Sequence, residues 1–311
     1  MLAFGLFNLS CFIFILLFYP NCIKFISDAC SLVAWTEFCL LIAPDVSTFW
    51  NIRKNLLLKN FITFESDLHL TLLALTRKPK CMEAFQQRRW LFDNFIGHSG
   101  NEKYDITYND VKKFLISELK LCTWTANKHQ NNYHAWNHRL WIIDKVKECI
   151  NLQEVCILEY DHIHNWISCH VSEHSGLHYL QHLLNMIALG VKNNELDLHN
   201  VMPQFNSVQQ LYLHELNFNR DLIFNYIDHE ALFCHRRILL KRLRDMVDVE
   251  QRTCSPPPPA LKRTCVETIS NEWSAILLSE QKFIDSCLEY KSYQKVLGEK
   301  HSQWLSNVLA V

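Results

Sequence analysis

Asn132-Tyr133-His134-Ala135-Trp136-Asn137-His138-Arg139 is the stretch on which the fold turns. The same order of residue types returns in Ser47-Thr48-Phe49-Trp50-Asn51-Ile52-Arg53 and in Met82-Glu83-Ala84-Phe85-Gln86-Gln87-Arg88. It returns again in Ser175-Gly176-Leu177-His178-Tyr179-Leu180-Gln181 and Glu230-Ala231-Leu232-Phe233-Cys234-His235-Arg236. Aligned this way, Trp50, Phe85, Trp136, His178 and Phe233 form one column, and Arg53, Arg88, Arg139, Gln181 and Arg236 form another. Apolar residues precede the ring (Phe49, Ala84, Ala135, Leu177, Leu232) and follow it six positions on (Leu56, Leu91, Ile142, Leu184, Leu239). Such offsets lie along one side of a helix, so the rings and aliphatics are expected to face inward. The arginines fall at the edge of that stripe, stem on the ring and head free to meet a carboxylate.

An amphipathic stretch precedes each motif helix, for example Leu68 to Leu75, Val111 to Leu121, Val155 to Ile167 and Leu211 to Ile227. Pro44 and Pro79 stand six residues before their rings, a place suited to a first helical turn. Each unit therefore reads as a helical hairpin, and stacked hairpins make an all-α solenoid, an α–α superhelix of about five hairpins. Ring-to-ring spacings of 35, 51, 42 and 55 residues put the length variation in the connections between hairpins.

Composition agrees. Apolar residues make up 49% of 311, enough for a large core, and six glycines with eight prolines leave little turn punctuation for a β-rich fold. A net charge of −1 argues against a nucleic-acid binder. The thirteen cysteines include no CxxC pair and sit in apolar segments, which suits reduced thiols in a cytoplasmic protein. Residues 1–26 form an apolar N-terminal segment, the first 23 without a charged side chain. Three readings fit it: a membrane anchor, a buried helix, or a start that is not the natural one. The hairpin array covers 27–244. Residues 245–265, with the run Pro256 to Pro259, read as an exposed linker, and 266–311 as a helical cap on the end of the array.

The segment 131–139 resembles the signature of protein farnesyl- and geranylgeranyltransferase α-subunits, in which an Asn precedes a Tyr-x-x-Trp-x-x-Arg core. The resemblance runs from about residue 30 to 243, and His170 to Gly176 and His229 to Arg237 look like a divergent branch of that family. It implies a non-catalytic α-subunit wrapped around a separate β-subunit, of the Rab geranylgeranyltransferase type for this branch. No cofactor is then expected on this chain, and the zinc belongs to the β-subunit. An isoprenyl diphosphate and a cysteine-bearing acceptor protein complete the implied partners. A repeat scaffold without prenyltransferase activity is the alternative.

Two residues carry the implied chemistry, Lys80 and His134. Lys80 follows Pro79 at the start of a motif helix, where free N–H groups favour an anion, and its place matches the family's diphosphate lysine. His134, with Asn132 and Tyr133, occupies positions that in the family line the diphosphate pocket. From the residues alone, Asn131 or Asn132 reads equally well as an N-cap and Tyr133 as packing. Met82 stands where the family has a tyrosine, which removes a phenol from that pocket. Trp50, Arg53, Phe85, Arg88, Trp136, Arg139, Phe233 and Arg236 read as the structural repeat. His170, His174, His178 and His182 recur every four residues, but Ser175-Gly176 breaks the run and no metal site is assigned. The position that would complete an HExxH after His229-Glu230 holds Phe233.

Overall fold

The computed structural model describes residues 28–96, 107–147, 150–253 and 259–308, with the side chains of 250–272 left out. Thirteen helices, and no strand, occur among the described residues. The chain divides after Ile150 into two compact units. Unit 1 contains α1 (Ala29–Ile42), α2 (Ser47–Leu58), α3 (Phe64–Arg77), α4 (Met82–Phe95), α5 (Tyr108–Lys128) and α6 (Tyr133–Val146). Unit 2 contains α7 (Leu152–Cys169), α8 (His174–Lys192), the single turn α9 (Leu198–Val201), α10 (Val208–Asn225), α11 (Glu230–Thr253), α12 (Pro259–Leu288) and α13 (Tyr293–Val308). Consecutive helices pair as α1–α2, α3–α4 and α5–α6 in unit 1, and as α7–α8, α10–α11 and α12–α13 in unit 2. This is the helical-hairpin repeat of an α–α solenoid.

Polar caps fix where the helices start. Thr63 and Thr107 cap α3 and α5, the latter in a reciprocal box with Asp110, and Asn132, Asn151 and Ser207 cap α6, α7 and α10. Pro44 and Pro79 lie outside the helices, not in their first turns. They sit in the turns ahead of the N-caps Val46 and Cys81, where their carbonyls are free to accept. The Trp50 indole donates to the Pro44 carbonyl at 2.7 Å.

Trp50, Phe85, Trp136 and Phe233 are all buried. The arginines are not at an edge. Arg53, Arg88, Arg139 and Arg236 are between 0 and 5% exposed, so each guanidinium needs a full set of acceptors. One is constant: each arginine donates to a carbonyl 20 residues earlier, on the first helix of its own hairpin (Val33, Leu68, Leu119 and Leu216). For Arg53, Arg88 and Arg236 another is a carboxylate from the first helix of the next hairpin. Arg53 pairs with Asp67 at 2.5 Å, Arg88 with both oxygens of Glu118 at 2.8 and 2.5 Å, and Arg236 with both oxygens of Glu280 at 2.7 Å. The residue just before the arginine column completes the knot: Gln87 bonds Asp67 at 2.6 Å and His138 bonds Glu118 at 2.8 Å. His301 does the same for Glu280 at 2.7 Å.

The fourth hairpin shifts by one residue from the alignment above. His178 is exposed, whereas Leu177 and Tyr179 are buried, and the Tyr179 hydroxyl donates to Glu159, again 20 residues back. Leu177 therefore holds the ring position and Leu180, fully buried, the arginine position; Gln181 belongs to neither column. With no arginine available, Glu215 takes hydrogen bonds from Tyr160 at 2.5 Å and His164 at 2.8 Å. Gly176 lies in the first turn of α8 under Trp166, where an added Cβ would stand 2.5 Å from the indole ring.

The C-terminal part also departs from the sequence reading. Nothing in 245–253 breaks a helix, and α11 continues to Thr253 with an Arg244–Asp248 pair one turn apart at 3.1 Å. Pro259 opens α12, the position at which proline fits a helix, so the linker placed at 245–265 is helical at both ends. The helices assigned as a cap form a sixth hairpin, knotted through Glu280 like the others. Residues 1–26 lie outside the described residues, and among the described ones no helix is long and apolar enough to cross a membrane.

Replacing Arg88 by Leu leaves Glu118 buried with His138 as its only strong partner, which is expected to cost roughly 3–5 kcal/mol in urea unfolding. The same knot sets a pH dependence. Burial pushes the Glu118 carboxyl up, but Arg88 and His138 outweigh it and hold it at about 2. Burial keeps His138 below the ordinary imidazole range, against the pull of Glu118. The unfolded chain therefore takes up protons first, at His138 near pH ~6.5 and at Glu118 near pH ~4.3. Stability should fall as pH drops below the first value and further between the second and about pH 2. A His138→Gln variant should lose the upper part of that decline in melts across pH.

Candidate functional site

The N-terminal ends of α4 and α6 adjoin in unit 1, and the reason is local. Asn132 caps α6 by accepting from the Ala135 N–H at 3.2 Å, and its amide donates to the carbonyls of Pro79 at 2.8 Å and Thr125 at 3.1 Å. Asn131, at φ 52°, takes the left-handed turn that delivers the cap, a conformation asparagine tolerates. Cys81 shares only the tie to the preceding turn: its thiol donates to the Pro44 carbonyl at 3.2 Å, as the Asn132 amide does to the Pro79 carbonyl. Burial pushes that thiol up to about 12, so Cys81 is structural and not a nucleophile.

Around this junction stand Lys80, Met82, Glu83, Arg89, Tyr133 and His134. Lys80 is half-buried in the turn one residue before the N-cap, not in the first turn of α4. His134 is half-buried in the first turn of α6, its ring edge-on to Tyr133 at 5.8 Å. Burial lowers the His134 pKa, Glu83 opposes this, and Lys80 and Arg89 lower it further. Lys80 and His134, far apart in sequence, are therefore electrostatic neighbours. Arg89 follows the motif arginine Arg88 in the Gln86-Gln87-Arg88-Arg89 run and carries no repeat signal of its own. Its guanidinium lies 5.2 Å from the centre of the Trp141 ring and its Nε donates to His138 Nδ1 at 3.4 Å.

The roles separate accordingly. Asn132 is fully buried with both amide hydrogens and its oxygen engaged, so the pocket role assigned to it is corrected to one of positioning. Tyr133, 57% exposed, and Met82, 43% exposed, form an open apolar rim, and Tyr133 is not packed in the core. Lys80, His134 and Arg89 bring three basic groups against one carboxylate, Glu83. Two helix ends add their partial positive charge. The arrangement can hold an anion and offers no activated nucleophile. The histidine series does not converge: His170 stacks on Trp166 at 4.0 Å at the end of α7, while His174, His178 and His182 lie on α8. Among the described residues no three His, Cys, Asp or Glu side chains are grouped as a metal site requires.

Buried arginines that lock hairpin to hairpin define an all-helical hairpin-repeat protein. Residues 115–146, the end of α5 and all of α6, match the protein prenyltransferase alpha subunit repeat. The chain is 30% identical over 306 residues to protein prenyltransferase alpha subunit repeat-containing protein 1 of Danio rerio, covering 89% of this chain and 68% of that one. It is 32% identical over 228 residues to the Homo sapiens protein of the same name, covering 64% of this chain and 56% of the relative. It is also similar to the geranylgeranyl transferase type-2 subunit alpha of Candida albicans, 26% identical over 129 residues, 37% of this chain and 32% of that one. The chain belongs to the protein prenyltransferase alpha subunit repeat family.

Replacing Asn132 by Ala removes a helix cap and leaves the Pro79 and Thr125 carbonyls without a donor. The expected cost is about 2–3 kcal/mol in denaturant unfolding, more than a cap alone.

Proposed function

We propose that this protein is the non-catalytic α-subunit of a heterodimeric protein prenyltransferase that carries a geranylgeranyl group from its diphosphate to protein cysteine thiols in the cytoplasm. The observation that supports this reading is the junction of α4 and α6, where the Asn132–Pro79 hydrogen bond joins the helix start carrying His134 to the turn carrying Lys80. The similarity to a geranylgeranyl transferase type-2 subunit alpha supports the choice of lipid and of a β-subunit of the Rab geranylgeranyltransferase type. In such a transfer the acceptor thiolate forms an S–C bond to the first carbon of the isoprenoid. The C–O bond breaks, and diphosphate leaves with the electron pair. Lys80, His134 and the two helix ends would bind the diphosphate and take up the charge that develops on it. Zinc on the β-subunit would supply the acceptor as a thiolate. Tyr133 and Met82 would form the rim against which that subunit closes.

A scaffold without transferase activity is the second reading. It is favoured by Met82, which offers no phenol to the pocket, and by a fourth hairpin that has given up its arginine.

The deciding experiment is co-expression with candidate prenyltransferase β-subunits, followed by transfer to a cysteine-bearing acceptor. Lys80→Ala should co-purify with the β-subunit as the unaltered chain does and lower transfer roughly ten- to hundredfold, as loss of one charge-stabilising group does. Unchanged transfer would remove Lys80 from the site, and failure to co-purify with any β-subunit would leave the scaffold reading.

A further inference from the structure

Unit 2 carries a cleft of about 270 Å³ walled by three helices: His178, Gln181, His182 and Asn185 on α8, Tyr212 on α10 and Arg242 on α11. Every polar residue here offers a donor. Arg242 presents a guanidinium on the exposed side of α11 and has no ion-pair partner among the described residues. His178 and His182 stand one helical turn apart, rings edge to face at 4.6 Å. Gln181 and Asn185 supply amides. Burial pushes the Tyr212 phenol up to about 12, which keeps it a neutral O–H. No carboxylate lines the cleft. Glu215, the carboxylate whose field reaches Tyr212, is itself fully buried and engaged by Tyr160 and His164. The Gln181 amide also bonds His235 Nδ1 at 3.0 Å, and His235 Nε2, on a residue 2% exposed, finds no partner.

A cation is poorly suited to this site, because Arg242 lines it and no oxygen or sulfur anion balances the charge. His182 reports the same field: burial, His178 and Arg242 all depress its affinity for a proton. The cleft is smaller than the roughly 300–1,000 Å³ of pockets that enclose a drug-sized molecule, so it suits one anionic group, not a whole ligand. Donors arrive from three helices, and a tetrahedral group with three terminal oxygens can meet all three, where a planar carboxylate has only two oxygens. A guanidinium fork matches such a group with two parallel hydrogen bonds.

We propose that the α8–α10–α11 cleft binds a phosphate monoester, held by Arg242, His178 and His182. The site is separate from the one argued for prenyl transfer and does not rest on it. The test is a titration of the full chain in phosphate-free buffer at low ionic strength, with phenyl phosphate in one arm. Phosphatidylcholine vesicles, with and without phosphatidic acid, form the other arm. Binding is followed by calorimetry and by the His178 and His182 ring resonances. Saturable binding that shifts both resonances is expected, weakened at least tenfold by Arg242→Gln and by the double variant His178→Gln/His182→Gln. All three side chains are exposed, so both variants should melt as the unaltered chain does; if Arg242→Gln melts early, Arg242→Lys should restore the melt and part of the binding. Binding of the soluble ester assigns the site to a free phosphate compound, and binding confined to phosphatidic acid vesicles assigns it to a lipid headgroup. No saturable binding in either arm, or equal affinity in Arg242→Gln, overturns the proposal.

Discussion

Burying a guanidinium is costly unless most of its hydrogen bonds are met, and this fold is organised around meeting them. Each motif arginine reaches back to a carbonyl of its own hairpin, and Arg53, Arg88 and Arg236 also reach forward to a carboxylate of the next. One side chain thus closes a hairpin and joins it to its neighbour. The constant interval of 20 residues to the carbonyl means that the geometry inside a hairpin is fixed. The interval to the carboxylate is 14, 30 or 44 residues, because the connections between hairpins are free to vary.

That difference explains what could be read from the sequence. Rings and arginines recur at one helical offset, so the class of fold was visible from Trp136 and Arg139 outward. The carboxylates Asp67, Glu118 and Glu280 were not, since they come from separate helices at irregular distances and nothing local marks them. The fourth hairpin slipped by one residue because Leu177 and His178 both satisfy a pattern of one apolar flank and one central side chain. Only the burial of Tyr179 and Leu180 decides between them. The end of α11 is masked in the sequence by the proline run that follows it, although nothing in 245–253 opposes a helix.

At the α4–α6 junction, Lys80 and His134 were found through a resemblance, and the fold places them as electrostatic neighbours although 54 positions of numbering separate Lys80 from His134. Asn132 shows how a single asparagine can look like a ligand and act as a brace. The residue combines one acceptor and two donors, and all three are consumed by backbone. Arg89 escaped notice because Arg88 beside it fits the repeat so well. Neighbouring arginines on a helix point about 100° apart, so one is drawn into the core while the other lies along Trp141.

Leu180 has a mechanical consequence. In an array where each module touches mainly its neighbours, cooperativity is as strong as the weakest seam. At the seam between α7–α8 and α10–α11 the bidentate clamp is gone, and Glu215 Oε2 and His235 Nε2 are both left unpartnered in the interior. Amide exchange and mechanical extension should therefore find a break point there before the intact seams yield, dividing unit 2 into two foldons.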